Sequence, residues 1–564
     1  MSDIESKFFF LKGIEHFNKK DFLLAENEFE KALELSPNRI SILENLAKVY
    51  YINKSYNKSE KLLNKLIDLK KDSEEIFNLK FNVLKKLEKF KELKLHIDEN
   101  LNTKNLNTEK LNLKYKIIKN FIYPNFFENQ KELDLTRNEF KSSINDLECT
   151  NDIKLSVEKD AIDPPIFNIS YDQYENLELN KKIVNLYRKF YPQLNQDLSH
   201  EKKNKKIKIG FFSEFFSNHT IGKLYKGIIF KLDNIKFEVY VFHSENTKKS
   251  PIFEEFLNAE IDLNIKNIIL PKNFDKKIEI INKENLDIAF FPEIGMSTEF
   301  YFLSYVRLAK KQITSWGHPI TSGNNSIDYF LSSKLLETDN AQKKFSEKLI
   351  LFEHLPMYFY KPKINKTLSK EEMIKRNIYF CSQTLIKVHP NFDEIINKIL
   401  TKDKKAKIFF IQDKSKIISK KLFERFKKNI PLRYESINFI DQLRVEDYIN
   451  FCGSASVLLD TLYFGAGNSF HESMFYGTPT ITMPTKHLKS RIVVGAYKQM
   501  KIENPPVVGE IDEYVDRAVE IANLNEKNML DVKNYYSKNA NLYLYENINI
   551  IKNLEKFFIN ISSS

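Results

Sequence analysis

From Ile207 onward the chain alternates short apolar runs with longer amphipathic stretches. IKIGFF (207–212), FEVYVF (237–242), DIAFFP (287–292), KQITSW (311–316) and IDYFLS (327–332) make a first set. NIYFCS (377–382), AKIFFI (406–411), INFI (437–440), SVLLDT (456–461) and TPTITM (478–483) make a second. Brief, nearly unbroken apolar runs separated by helical stretches predict parallel strands covered on both faces. The polar break near 353–375 divides the sets into two Rossmann-like α/β domains, 207–365 and 366–564, facing a cleft. A last helical stretch, roughly 527–560, is expected to pack back across their junction. Ligands of such sheets bind beyond the carboxyl ends of the strands.

The first third follows a different period. Residues 6–39 carry Phe9, Gly13, His16, Ala25, Phe29, Ala32 and Pro37, and the next period repeats as Leu43, Leu46, Ala47, Tyr50, Ser59, Leu63 and Leu66. Small residues at a helix crossing with large ones around it are what stacked helix–turn–helix units need. A weaker third copy holds Phe77, Phe81, Leu84, Leu93 and Ile97, and Asn107–Tyr123 reads as a closing helix. This all-α domain over 1–123 resembles the tetratricopeptide repeat, which implies a concave surface for a protein or peptide partner. Residues 124–206, broken by Pro124, Pro164, Pro165 and Pro192, read as linker and transition helices ending in the solvated run HEKKNKK.

Composition narrows the classes. Lys+Arg 88 against Asp+Glu 76 gives +12, yet only ten of the 88 are Arg, the residue that grips phosphates and guanine edges as a fork. The lysines are spread along the whole chain, so no nucleic-acid partner is expected. Three cysteines (Cys149, Cys381, Cys452) make neither a disulfide framework nor a zinc cage. No apolar run approaches the roughly 20 residues of a membrane span, and the first residues lack a signal-peptide pattern. A cytoplasmic protein without membrane attachment is the expectation.

Glycine is scarce, 13 in 564, and twelve lie at or after Gly210. Those that remain are expected where the backbone approaches another group closely. LDTLYFGAGNSFHESMFYGTPTITMP (459–484) ends a strand, passes Gly465 and Gly467, and starts a helix near Asn468. Backbone N–H groups at such a helix start favour an anion, and Asn468 and Ser469 can donate to a phosphate. Glu472, one turn on, is placed to accept ribose hydroxyls. CSQTLIKVHP (381–390) sets Gln383 and Lys387 just past a strand end, where the lysine can neutralise a leaving diphosphate. TKHLKSRIVVG (485–495) offers Arg491, and FFSEFFSNHTIGK (211–223) brings His219 to the opposite lip. His318 in SWGHPITSG and Glu293 after DIAFFP are further acceptor-side candidates, Glu293 as a base. No Asp-x-Asp occurs, so the carboxylate pair that holds a metal on a nucleotide-sugar is missing from the sequence.

IKIGFFSEFFSNHT, SWGHPITSGNNSIDYF, CSQTLIKVHP, LDTLYFGAGNSFHES and GTPTITMPTKHLKSRIV together resemble the O-linked N-acetylglucosaminyltransferase-like family, in its order, over about Ile207 to Leu524. The resemblance implies a GT-B fold after the repeats. It also implies inverting, metal-independent transfer of GlcNAc or another hexose from a UDP-sugar to a protein Ser or Thr, with no separate cofactor. By the same resemblance Lys387 sits on the diphosphate, Gln383 lies beside the nucleotide, Asn468 and Ser469 match a phosphate-binding stretch, and His219 stands near the reacting centre; Gly467 in the glycine loop and Arg491 after its strand end are read as further UDP-sugar contacts. Tyr448 takes the place of a nucleotide-side histidine, and Glu472 that of an aspartate. SWGHPITSG and FPEIGMSTEF look closer to bacterial branches, including N-glucosyltransferases that modify asparagine. Transfer to Asn or to a glycan is therefore an alternative, as is a repeat scaffold whose GT-B half is inactive.

Overall fold

The structure is a computed structural model of the chain, described over residues 2–69, 73–101, 108–150, 153–198 and 205–563. Asn107, at the start of the expected closing helix, and 200–204 of the lysine-rich run lie outside the described residues. The chain divides into two units, Met1–Pro124 and Asn125–Ser564.

In the first unit the small and large residues of the period do what the pattern requires. Helices Ser2–Asn18 and Phe22–Leu35 form one antiparallel pair, and Ile40–Ile52 and Tyr56–Asp68 the next. Ala25, Phe29 and Ala32 are fully buried, and a Cβ on Gly13 would fall 2.5 Å from the Phe29 ring. In the second pair the buried Ser59 hydroxyl donates to the Ala47 carbonyl at 2.8 Å. Glu74–Lys86 and Phe90–Asn100 make the weaker third pair, and Glu109–Phe121 closes the row.

The second unit holds two sheets, in which all the strand pairs among the described residues are parallel. The first contains β1 (Ile207–Phe212), β2 (Phe237–Ser244), β3 (Lys266–Leu270), β4 (Leu286–Phe291), β5 (Ala309–Ser315), β6 (Tyr329–Ser333) and β7 (Lys348–Phe352), in the order β3-β2-β1-β4-β5-β6-β7. The second contains β8 (Ile378–Cys381), β9 (Lys407–Ile411), β10 (Ile437–Ile440), β11 (Val457–Leu459) and β12 (Thr480–Ile481), in the order β10-β9-β8-β11-β12. In each sheet the strand order reverses at one place, between β1 and β4 and between β8 and β11. Parallel α/β sheets open a crevice at such a switch point, beyond the carboxyl ends.

The ten runs read from the sequence are strands. β3 and β7 were not among them, because as edge strands they stay half-exposed and carry polar residues. The stretch 124–206 is more than a linker. Its helices Gln130–Glu148 and Leu177–Phe190 belong to the second unit, and Arg188 reaches the Tyr305 carbonyl and Ser326 beside the first sheet. The last helix, Ile548–Ser562, returns to the first sheet, where Phe558 packs edge-on against Phe237 and Phe290. That contact joins the chain's end to its first Rossmann-like half.

Candidate active site

The loops that leave β1 and β5 of the first sheet and β8 and β11 of the second converge on one cavity of about 440 Å³. That size suits a small organic ligand. Phe167 and Tyr171, from the segment ahead of the first sheet, complete its wall.

On the second-sheet side, a short turn after β8 carries Gln383 and Lys387. The Lys387 ammonium donates to Gln383 Oε1 at 3.0 Å and to the Gly465 carbonyl at 2.9 Å, and lies 4.7 Å over the Phe464 ring. Gln383 in turn donates to Ser469 Oγ at 2.9 Å. One hydrogen-bonded chain thus ties the turn after β8 to the loop after β11. Burial pushes the Lys387 ammonium down to about 8, with the neighbouring Asp460 carboxylate opposing the shift. An ammonium desolvated in this way gains when a ligand brings negative charge to it.

Asp460 braces that loop. Its carboxylate accepts from the Ala466 N–H and from Thr482 Oγ1, both at 2.7 Å. At Gly465 a Cβ would stand 2.8 Å from Asp460 Oδ2, so a larger residue would have to displace that braced carboxylate. At Gly467 a Cβ would meet only Ile492 Cδ1 at 3.9 Å, so this glycine leaves the cavity open instead of relieving a crowded contact. The helix that begins at Asn468 runs only to Ser473. Tyr448, nearly buried, fixes its start by donating from the phenol to the Ser469 carbonyl at 3.2 Å.

Across the cavity, His219 is the N-cap of helix Thr220–Lys231, its Nδ1 accepting from the Ile221 N–H at 3.2 Å. Burial, with Lys248 and Lys223 nearby, holds the imidazole down to about 4. The ring is therefore neutral near pH 7, with Nδ1 committed to the helix and the proton on Nε2. It is placed to donate to a ligand, and it has no free lone pair with which to act as a base. His318 has the opposite tautomer, for its Nδ1 lies 2.7 Å from the Ile294 carbonyl, which can only accept.

Nine sequence candidates line this cavity: Lys387, His219, Gln383, Tyr448, Gly467, Asn468, Ser469, Glu472 and His318. Two do not. Arg491 directs its guanidinium to the carbonyls of Leu336, at 2.5 Å, and Thr485, at 3.1 Å, and so fastens loops behind the wall. Glu293 is buried, accepting from the Met296 N–H at 3.1 Å and from Ser213 Oγ at 3.4 Å. It caps a turn outside the cavity lining, and burial pushes its carboxyl up to about 8. Glu472 reaches the cavity, but its carboxylate already pairs with Lys223 at 2.5 Å. Sequence reasoning passed over Lys223, one turn beyond His219, and left Thr384 and the single tryptophan, Trp316, without a role although all three line the cavity. A lone tryptophan at a strand end was the available signal. Among the described residues no group of His, Cys, Asp and Glu is placed to hold a metal, and no helix is long and apolar enough to cross a membrane.

Two parallel sheets with one cavity at their facing carboxyl ends define a GT-B-type fold. Residues 171–361 match the Glycosyl transferase family 41 model, and residues 6–39 match a tetratricopeptide repeat model. The UDP-glucose:protein N-beta-glucosyltransferase of Actinobacillus pleuropneumoniae serotype 5b is 22% identical over 419 residues, 72% of this chain and 64% of that protein. A probable UDP-N-acetylglucosamine--peptide N-acetylglucosaminyltransferase of Arabidopsis thaliana is 23% identical over 377 residues, 63% of this chain and 37% of that one. The chain thus spans less than two thirds of the length of these relatives. A solved Thermobaculum terrenum O-GlcNAc transferase mutant superposes with a TM-score of 0.69 at 14% identity, covering 100% of this chain and 98% of that one. The likeness is one of fold. Together these matches make the chain similar to O-GlcNAc transferase-like GT-B glycosyltransferases that carry N-terminal tetratricopeptide repeats.

Proposed function

We propose that the chain is an inverting glycosyltransferase that moves a hexose, GlcNAc or another, from a UDP-sugar to a protein side chain. The observation that carries this reading is the Lys387–Gln383–Ser469 chain, which sets a desolvated ammonium against the glycine loop inside the cavity. In the reaction the acceptor atom bonds to the anomeric carbon while the bond to the diphosphate breaks, its electron pair leaving on UDP, and one proton is released. Lys387 stabilises the charge that develops on the leaving group, and the two walls hold donor and acceptor in line. No other cofactor or metal is assigned a role, in keeping with the missing Asp-x-Asp and with a lysine where the diphosphate would lie. The tetratricopeptide repeats are assigned to capturing the protein acceptor, and the protein to the cytoplasm.

Asparagine is the second reading for the acceptor, favoured by the N-glucosyltransferase relative that aligns with 72% of the chain. A panel of UDP-sugars, scored for UDP release and for mass added to peptides, tests both readings, with Lys387→Ala as the control. UDP release dependent on Lys387 supports the proposal, and absence of UDP binding by the wild-type chain refutes it.

A further inference from the structure

Lys489 is a buried cation that the proposed reaction does not use. It sits in the short turn Leu488–Ser490 after β12 and is 2% exposed. Its ammonium donates to the Asp172 carbonyl at 2.5 Å and to the Tyr174 carbonyl at 3.3 Å, and lies 3.9 Å from Asp172 Oδ1. The same carboxylate pairs with Arg137 at 3.0 Å, both side chains being 1% exposed. Arg137 reaches on to the Glu175 carbonyl at 3.0 Å and to Asn176 Oδ1 at 2.5 Å. One buried carboxylate thus gathers two cations, from helix Gln130–Glu148 and from the turn after β12. Taking three charges out of water is costly, and the best-attested use of such a cluster is to fix one register of the chain.

The knot reaches Lys387 by two routes. Along the main chain, the Lys489 carbonyl accepts from the Gly465 N–H at 2.8 Å, and the Gly465 carbonyl accepts from the Lys387 ammonium at 2.9 Å. Through side chains, Tyr171, next to Asp172, packs 4.7 Å from the Phe464 ring, over which Lys387 lies at 4.7 Å. Burial brings the Lys489 ammonium down to about 8, with Asp172 opposing the shift, so the knot is charged near pH 7.

We infer that Lys489, anchored by Asp172 and Arg137, is a positioning residue that holds the Gly465 peptide in place and through it sets Lys387 for a diphosphate. Lys489 itself stands outside the cavity lining. The inference rests on the glycosyltransferase reading and adds to it a residue on which the charge stabiliser depends. It also gives the stretch ahead of the first sheet a task, because Tyr171 and Asp172 brace the second-sheet wall from there.

The test is a double-mutant cycle on UDP affinity, measured by calorimetry at pH 7 on the whole chain, Lys489→Met, Lys387→Ala and the double variant. Lys489→Met keeps the bulk, removes the donors and leaves Arg137 and Asp172 as a balanced pair. It should weaken UDP by about tenfold beside an intact Lys387, one hydrogen bond's worth, and by less than about twofold in the Lys387→Ala chain. In transfer assays it should lower kcat by about tenfold and leave the peptide KM in place. Affinity unchanged by Lys489→Met, or lost equally in both backgrounds, would overturn the inference while the UDP reading stood. A raised peptide KM with kcat unchanged would do the same. If Lys489→Met fails to fold by circular dichroism, Lys489→Gln, which stays polar, enters the same cycle, and failure of both would make the knot structural only. Absence of UDP binding by the wild-type chain would remove the inference together with the reading it rests on.

Discussion

Lys223 and Glu472 stand 2.5 Å apart, one from each Rossmann-like half, and their ion pair crosses the cavity that the two sheets enclose. Both are partly exposed, so the pair adds little to stability by itself. Its importance is that it occupies the carboxylate expected to receive ribose hydroxyls. If Glu472 holds the ribose, the wild-type chain should prefer UDP over 2′-deoxy-UDP by about tenfold, one charge-assisted hydrogen bond's worth, and Glu472→Ala should lose that preference. Lys223→Met should bind UDP no more weakly than wild type, because it frees the carboxylate. Calorimetry with both nucleotides decides it: an unchanged preference in Glu472→Ala removes Glu472 from the ribose.

Lys387 supplies the sharpest test of the chemistry. Lys387→Ala should lose roughly 3 kcal/mol of transition-state stabilisation, the order found when a principal charge stabiliser is removed. The ammonium's low pKa, about 8, adds a pH signature. Protonated below that value and neutral above it, Lys387 should hold UDP progressively less well as pH rises through 8, and the alanine variant should lack that decline. Turnover within about tenfold of wild type would show that the lysine is not the stabiliser.

Much of the fold was legible because buried parallel strands are continuous apolar runs. The edge strands β3 and β7 were not, since an edge does not demand apolar residues on both faces. The site was legible where a residue's chemistry depends on its place after a strand, as for Lys387, Gln383 and the Gly465–Ser469 loop. Sequence could not reveal how side chains share partners. Arg491 lies after a strand end like Lys387, but nearby carbonyls take its guanidinium. Lys223 escaped notice because only folding across two domains brings it to Glu472, 249 residues away.

Glu293 separates a capping role from a catalytic one. Its carboxyl, raised to about 8 from 4.5 by burial, accepts from the Met296 N–H outside the cavity lining. Glu293→Gln keeps an acceptor for that N–H and should retain transfer within about tenfold, whereas loss of a general base removes about 10²–10⁴. A carboxyl that binds its proton more tightly when folded loses stability as pH rises from its unfolded value to its folded one. The variant should therefore melt at the higher temperature above pH 8, and the difference should shrink toward pH 5. A loss of transfer beyond 10²-fold, with the fold intact by circular dichroism, would restore Glu293 as the base.

Lys533 offers a test of what positions Tyr448. Its fully buried ammonium donates to the carbonyls of Met373, Gly453 and Ala455, each at 2.7 Å, and so closes the end of helix Val445–Ser454, which carries Tyr448. Lys533→Met keeps the bulk and removes all three hydrogen bonds, leaving buried carbonyls unpaired. A loss of about 3 kcal/mol is expected, lowering the melting midpoint by roughly 5 °C or more. Burial also brings the ammonium down to about 7 from 10.5, so between those values the unfolded chain holds more protons than the folded one. Stability therefore rises with pH across that window, and the methionine variant should show a shallower rise of midpoint between pH 7 and 9. Thermal melts followed by near-ultraviolet circular dichroism measure both effects. Equal midpoints would show that the three carbonyls do not need the lysine.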